Sequence, residues 1–263
     1  MKLKVCGMKL NTAEVAELRP DYLGFIFWEK SSRFFEGEIP PLASSIKKIG
    51  VFVDAALEEV LEKIEKYGLQ VVQLHGNESL EFCQELRIKL SSSHRKGSAA
   101  KVRSREPHRY ASANRIGSSP SPRPTSTDHV RSSAAETSDD RSAALKSTKI
   151  EIIKVFSIKN DFDFRILKPY EPVCDYFLFD TKGELPGGNG YAFDWKVLEG
   201  YSSTTPYFLS GGIGLDEVES IKKFAKLANA KHCHAIDVNS RFEIEPGLKK
   251  LAELKKFKNA LNL

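Results

Sequence analysis

Cysteine and histidine are scarce, at four and six residues in a chain of 263. Cys6, Cys83, Cys174 and Cys233 stand far apart without CxxC spacing, which excludes a zinc ribbon and a disulfide framework. The one close group, "HCH" at His232 to His234, precedes a strand instead of ending one, so no metal and no other cofactor is expected. Long apolar runs are missing as well. Tyr22 to Trp28 and Ile49 to Val53 fall far short of the roughly 18 residues that cross a bilayer. With no signal-peptide pattern ahead of them, no membrane is expected, and the protein is expected to be cytoplasmic. Hydrophobic residues still make up 41% of the chain, enough for a sizeable core.

Acidic residues run short in one segment only. Ser91 to Lys149 holds 8 Arg and 4 Lys against 2 Glu and 3 Asp, a local +7 within a total of +5, so the remainder carries −2. The basic character belongs to that segment and not to the fold around it. Residues 91–147 are rich in Ser, Arg and Ala with a single aromatic, Tyr110, and are expected to be disordered because they cannot bury enough apolar surface to offset their ordering entropy. Serine with arginine invites a reading as an arm for RNA or an acidic partner, and "RKGS" and "RSREP" as kinase sites. A solvated linker is weighed above these, since base-stacking aromatics are nearly absent; nucleic acid is therefore not expected as a partner.

What is abundant is repetition. Eight apolar, β-branched or aromatic runs, Leu3 to Cys6, Tyr22 to Phe27, Ile49 to Val53, Val71 to Leu74, Ile150 to Val155, Tyr176 to Phe179, Tyr207 to Leu209 and Ala235 to Val238, alternate with helical patterns. Their ends fall 21 to 30 residues apart, except for 81 residues between Leu74 and Val155. Treating the 57 residues 91–147 as an insertion reduces that interval to 24 and makes the series regular. The expectation is an α/β fold, a single (β/α)8 TIM barrel over 1–263, with a long disordered insertion between helix 4 (Glu78 to Leu90) and strand 5. That connection lies at the end of a barrel opposite its active site, where a long insertion adds little loop-closure cost.

Polar residues and glycines gather where the strands end. Cys6 and Gly7 follow strand 1, Arg33 with Ser31 and Ser32 strand 2, Gln73 and His75 strand 4, and Asp180 with Thr181 strand 6, ahead of "GELPGGNGYAFDW". Gly211 and Gly212 follow strand 7, and Asp237, Asn239, Ser240 and Arg241 strand 8. Each has a plain alternative: Cys6 as a small buried hydrophobe, Arg33 as a surface charge, His75 as a structural histidine, the glycines as turns, Asp237 as a backbone support. Their shared face argues for a site. Gly211 and Gly212, with Asn239, Ser240 and Arg241, offer backbone N–H groups and short donors that suit a phosphate, so a phosphosugar is the expected substrate class.

In order along the chain, "KVCGMK", "DYLGFIF", "SSRF", "GVFVD", "VQLHG", "FDTKGELPGGNGYAFDW", "LSGGI" and "AIDVNSRFE" resemble phosphoribosylanthranilate isomerases of tryptophan biosynthesis. The resemblance covers the chain outside the insertion, for which the family implies no role. It implies a cofactor-free Amadori rearrangement of N-(5-phosphoribosyl)anthranilate to 1-(2-carboxyphenylamino)-1-deoxyribulose 5-phosphate. By the same likeness Cys6 is the general base, Asp180 the general acid, and Arg33 the holder of the anthranilate carboxylate. Phosphate falls to Gly188, Asn189, Gly211, Gly212, Asn239 and Ser240; His75 and Arg241 are further candidate site residues, with no one role assigned to His75. Arg241 stands where a glycine is common in the family, and "GGNG" replaces "GGTG". The chemistry asks the site to favour the Cys6 thiolate and to raise Asp180. A monomer or homodimer is expected. The rivals are another phosphosugar barrel enzyme, such as a ribulose-phosphate epimerase or indole-glycerol-phosphate synthase, and a scaffold whose basic insertion does the binding. The first would need His and Asp metal ligands or catalytic Lys and Glu at the strand ends, and neither set is evident.

Overall fold

The computed structural model describes residues 1–102, 149–159, 161–181 and 194–263. The expected disorder of 91–147 therefore lies outside the described residues, apart from the end of one helix. Met1–Ser91 with Lys149–Leu263 make one unit, and Ser92–Thr148 a second.

In the first unit, eight parallel strands follow one another around a closed barrel: β1 (Lys2–Val5), β2 (Tyr22–Ile26), β3 (Lys47–Phe52), β4 (Val71–Leu74), β5 (Glu151–Ile158), β6 (Tyr176–Thr181), β7 (Tyr207–Leu209) and β8 (Cys233–Val238). β8 pairs back onto β1, Lys4 opposite Asp237. Because side chains alternate across a strand, each strand feeds two cores. β3 sends Ile49 and Val51 inside and Phe52 outside; β6 sends Leu178 inside and Phe177 and Phe179 outside.

The outer core is covered by helices, of which α1 (Thr12–Glu17) is the first, and their patterns explain them. In α2 (Leu57–Tyr67), Leu57, Val60, Ile64 and Tyr67 form the buried stripe, Glu58 and Glu59 sit at the positive end, Lys66 at the negative end, and Gly68 closes the helix at φ 60°. The regular strand and helix alternation is broken in places. No helix joins β2 to β3 among the described residues. Pro40 and Pro41 oppose one there, and Phe35 fills the space instead, its ring 4.8 Å from Phe25 and 5.7 Å from Tyr67. Short 3-10 turns, Phe164–Tyr170 and Trp195–Gly200, follow β5 and β6.

α3 (Leu80–Val102) follows β4 and runs past the expected boundary at Leu90. Arg87 on this helix donates to Val173 O and Ile150 O and pairs with Asp175. Lys149, at the start of the returning chain, pairs with the same carboxylate, which also accepts the Ile152 N–H at 2.8 Å. Burial works against the Asp175 charge, but hydrogen bonds from Lys149, Ile152 and Arg87 hold its carboxyl below the usual range. The barrel residues on either side of the inserted stretch, Arg87 and Lys149, thus share one carboxylate.

The lower, N-terminal end of the barrel is closed by aromatic rings. β7 and β8 slip register so that Tyr207 and Phe208 face Cys233 and Ala235, leaving His234 as an extra residue. Its ring lies 4.6 Å from Tyr176 and 5.4 Å from Phe208, and its Nε2 is 2.8 Å from Tyr22 Oη. Lys47 pairs with Glu151 at 2.7 Å beside them.

Candidate active site

At the opposite end the strands open on a cavity. It is lined by Cys6, Arg33, His75, Asp180, Gly211, Gly212, Asn239, Ser240 and Arg241, nine of the residues singled out in the sequence. Gly188 and Asn189 lie outside the described residues. Gln73 and Asp237 line it too, and Ile26, Trp28, Ser31, Val51, Val53, Ser210 and Ile213 complete the wall.

Two glycines make the position of Cys6 workable. A Cβ on Gly24 of β2 would come within 2.9 Å of Cys6 Sγ. Gly7 turns the chain at φ +71°, and a Cβ there would meet Asn239 Oδ1 at 2.6 Å and Arg33 Cδ at 2.7 Å. The glycine after the thiol therefore lets the β2 and β8 loops close over the end of β1.

The expected bias toward thiolate is not what this environment produces. Cys6 is 5% exposed, and burial pushes its thiol above the ordinary value, further helped by the Asp237 charge. The cations Lys4 and Lys249 pull the other way without prevailing. Both lysines escaped the sequence reading, because "KLKV" looks like a strand with an exposed polar face. In a closed barrel neither face is exposed, and Lys4, wholly buried two residues before Cys6, points its ammonium at Asp237 Oδ2 (2.7 Å) and Gln73 Oε1 (2.5 Å). Burial opposes the Lys4 charge, but Asp237 and Cys6 hold its ammonium above the usual value.

An ammonium has only hydrogens to give, so the Gln73 amide must turn its oxygen to Lys4 and its N–H to His75 Nδ1, 3.1 Å away. His75 then carries its own proton on Nε2, which lies 3.3 Å from Asp180 Oδ2. Asp180 Oδ1 accepts the Thr181 N–H at 3.0 Å. A chain of donors thus runs from Lys4 under the cavity to Asp180 on its far wall. Asp237 is more than a backbone support: one oxygen holds Lys4, and Oδ1 is buried without a hydrogen bond among the described residues.

Arg33 is held by Glu243, at 2.9 and 3.0 Å from Nε and 2.6 Å from Nη2. Glu243 also accepts from Lys249 Nζ at 2.7 Å and the Gly247 N–H at 3.0 Å. Burial disfavours its charge, yet Arg33 and Lys249 keep its carboxyl below the usual range. Gly211 (φ +94°) and Gly212 (φ +63°) press the β7 loop onto β6, where a Cβ at Gly211 would lie 2.1 Å from Thr181 Oγ1. Arg241 faces Asp216 at 3.7 Å and Glu217 at 3.8 Å, so part of its charge is already answered. No group of three or more His, Cys, Asp or Glu among the described residues is placed to hold a metal ion. No helix among them is long and apolar enough to cross a membrane.

The sequence model of the family described as N-(5'phosphoribosyl)anthranilate (PRA) isomerase matches residues 3–112 and 134–260. An N-(5'-phosphoribosyl)anthranilate isomerase of Parabacteroides distasonis is 37% identical over 265 residues, spanning 98% of this chain and 91% of its own. The solved phosphoribosyl anthranilate isomerase of Thermotoga maritima, 24% identical, superposes with a TM-score of 0.65 over 100% of both chains. Another solved phosphoribosyl anthranilate isomerase, 23% identical with a TM-score of 0.61 over 100% of both chains, is a complex with reduced 1-(o-carboxyphenylamino)-1-deoxyribulose 5-phosphate.

Proposed function

The chain belongs to the N-(5'-phosphoribosyl)anthranilate isomerase family, an isomerase of tryptophan biosynthesis, and from that premise we propose that the cavity rearranges its substrate between Asp180 as acid and Cys6 as base. Asp180 gives a proton to the ribose ring oxygen, the bond from that oxygen to C1 breaks, and the anthranilate nitrogen lone pair completes a C1=N bond. Cys6, as thiolate, then takes the C2 proton, and the C–H pair moves into a C1=C2 bond while the C=N pair returns to nitrogen. The enol so formed gives its hydroxyl proton to the Asp180 carboxylate, takes a proton at C1 from the Cys6 thiol, and becomes the ketose. Acid and base are conserved over the cycle, so nothing but proton transfer is required.

The observation that carries this reading is the donor chain from Lys4 through Gln73 and His75, which ends on Asp180 across the cavity from Cys6. With its Nδ1 lone pair occupied by Gln73, His75 is a fixed donor to Oδ2 and cannot take the proton from Asp180. The acid proton is left to Asp180 itself, and His75 steadies the carboxylate that remains. Phosphate goes to the N–H groups of Gly211 and Gly212 with Asn239 and Ser240, joined by Gly188 and Asn189, which follow β6 in the chain. The anthranilate carboxylate goes to Arg33, and the unpaired Asp237 Oδ1 accepts from a sugar hydroxyl. A cytoplasmic location and a monomeric or homodimeric state accompany this reading; light scattering in solution decides the latter.

The test is loss of anthranilate-type fluorescence from freshly made phosphoribosylanthranilate. Wild type consumes it, and Cys6→Ala and Asp180→Asn, folded as judged by their melting, do not. Full turnover by either variant would remove that residue from its role.

A further inference from the structure

Arg33 has five N–H donors. Glu243 engages the Nε edge and one hydrogen of Nη2, and among the described residues Nη1 makes no hydrogen bond. What remains is the end-on fork, two parallel N–H groups on a side chain that lines the cavity. A clamp that aims the fork in this way also has a cost. Glu243 sits 2.6 Å from the guanidinium and cancels its charge, and a neutral pair has little long-range attraction for a carboxylate.

Lys249 resolves the conflict. Its fully buried ammonium meets three acceptors, Glu243 Oε1 at 2.7 Å, Asn239 Oδ1 at 2.8 Å and Asn239 O at 3.4 Å, which matches the three hydrogens of the charged form and exceeds the two of a free amine. Since Lys249 does not line the cavity, it acts on a ligand only through Glu243, Asn239 and its field.

We propose that Arg33, Glu243 and Lys249 form one cationic unit for recognising the substrate carboxylate, in which Glu243 aims the Arg33 fork and Lys249 restores the net positive charge that Glu243 removes. Lys249 and Glu243 are thus positioning residues for specificity, and the inference rests on the reading of Arg33 as the carboxylate holder.

The test compares inhibition by two unreactive ligands: reduced 1-(o-carboxyphenylamino)-1-deoxyribulose 5-phosphate and its anilino counterpart, which lacks the carboxylate. Neither reacts, so changes at Cys6 do not enter. Both carry the phosphate, so any loss at Asn239 weakens both alike and cancels in their ratio. Wild type prefers the carboxylated ligand; Lys249→Met, whose trio is neutral, is expected to lose that preference by roughly tenfold or more. Glu243→Gln combined with Lys249→Met restores one net positive charge at Arg33 and is expected to recover most of the ratio. Lys249→Gln, which keeps a donor for Glu243, gives the same comparison if the methionine variant does not fold. Equal weakening of both ligands by the Lys249 variants, or a double variant no better than the single one, overturns the proposal. Arg33→Met separates the two layers: if it leaves the ratio unchanged, the assignment of Arg33 itself fails, whereas loss there with no effect at Lys249 rejects only the cationic unit.

Discussion

The two ends of the barrel are both polar, and they differ in what their polar groups still have to offer. At the lower end, His234 meets Tyr22, Glu151 meets Lys47, and Tyr176 reaches Glu151 at 3.4 Å, with aromatic rings filling the space between. At the upper end, among the described residues, Asp237 keeps an oxygen unpaired, Arg33 keeps its fork, and Gly7 and Gly24 keep side chains out. The lower cluster is satisfied within itself and works as a plug. The upper one is built with the same chemistry and left incomplete, which is what a binding site requires.

That contrast can be broken most severely at the acid and the base. Asp180→Asn or Cys6→Ala is expected to lower kcat by roughly 100- to 10,000-fold while melting stays close to wild type, because general acid–base catalysis is worth about that much. Next is Gly24→Ala, which forces a methyl against Cys6 Sγ. Overpacking there is expected to cost about 1–3 kcal/mol in denaturant unfolding and to cut kcat/KM as the thiol is displaced. An unchanged kcat/KM would mean that the thiol has room the geometry does not indicate.

The pH dependence sharpens the comparison. Burial raises the Cys6 thiol, so kcat/KM is expected to keep climbing with pH beyond neutrality as the thiolate forms. Lys4→Met removes a cation that favours the thiolate and should move that limb to still higher pH. A limb that stays in place would take Lys4 out of the electrostatics of the base.

The plug should respond in stability and not in rate. Burial first, then the charges of Lys2 and Lys47, depress His234 from 6.5 to about 4. The folded state thus disfavours the proton. The stability from His234 is complete above about 6.5 in the unfolded reference and is lost as pH falls toward about 4. Melting temperatures measured across that window should drop, and His234→Gln should flatten the drop while turnover stays within about twofold. The smallest effect is expected from deleting 92–148: turnover within about twofold of wild type, since the chain re-enters the barrel at the start of β5, whereas the cavity opens at the C-terminal ends of the strands.

Much of this was legible because strand ends carry their own signal. Cys6, His75, Asp180, Asn239 and Ser240 interrupt apolar runs at their C-terminal ends, and all of them line one cavity. The charges behind the wall were not legible. Lys4 and Lys249 are indistinguishable in sequence from exposed lysines, and only closure of β8 onto β1 buries Lys4 beside Asp237. The missing helix between β2 and β3 left a clearer trace, since Pro40 and Pro41 oppose helix there, and Phe35 packs in its stead. The thiol went the other way from expectation because desolvation depends on burial, which composition does not report.

Asp175 gives the fold a latitude in its own history. With Arg87 and Lys149 both anchored on it, the distance between the points where the chain leaves and rejoins the barrel is set locally. Length added between those points costs only about 0.6 kcal/mol per doubling. A lineage can therefore lengthen, shorten or replace that stretch with little penalty, and the joint can serve as a place to graft a foreign sequence onto a working enzyme.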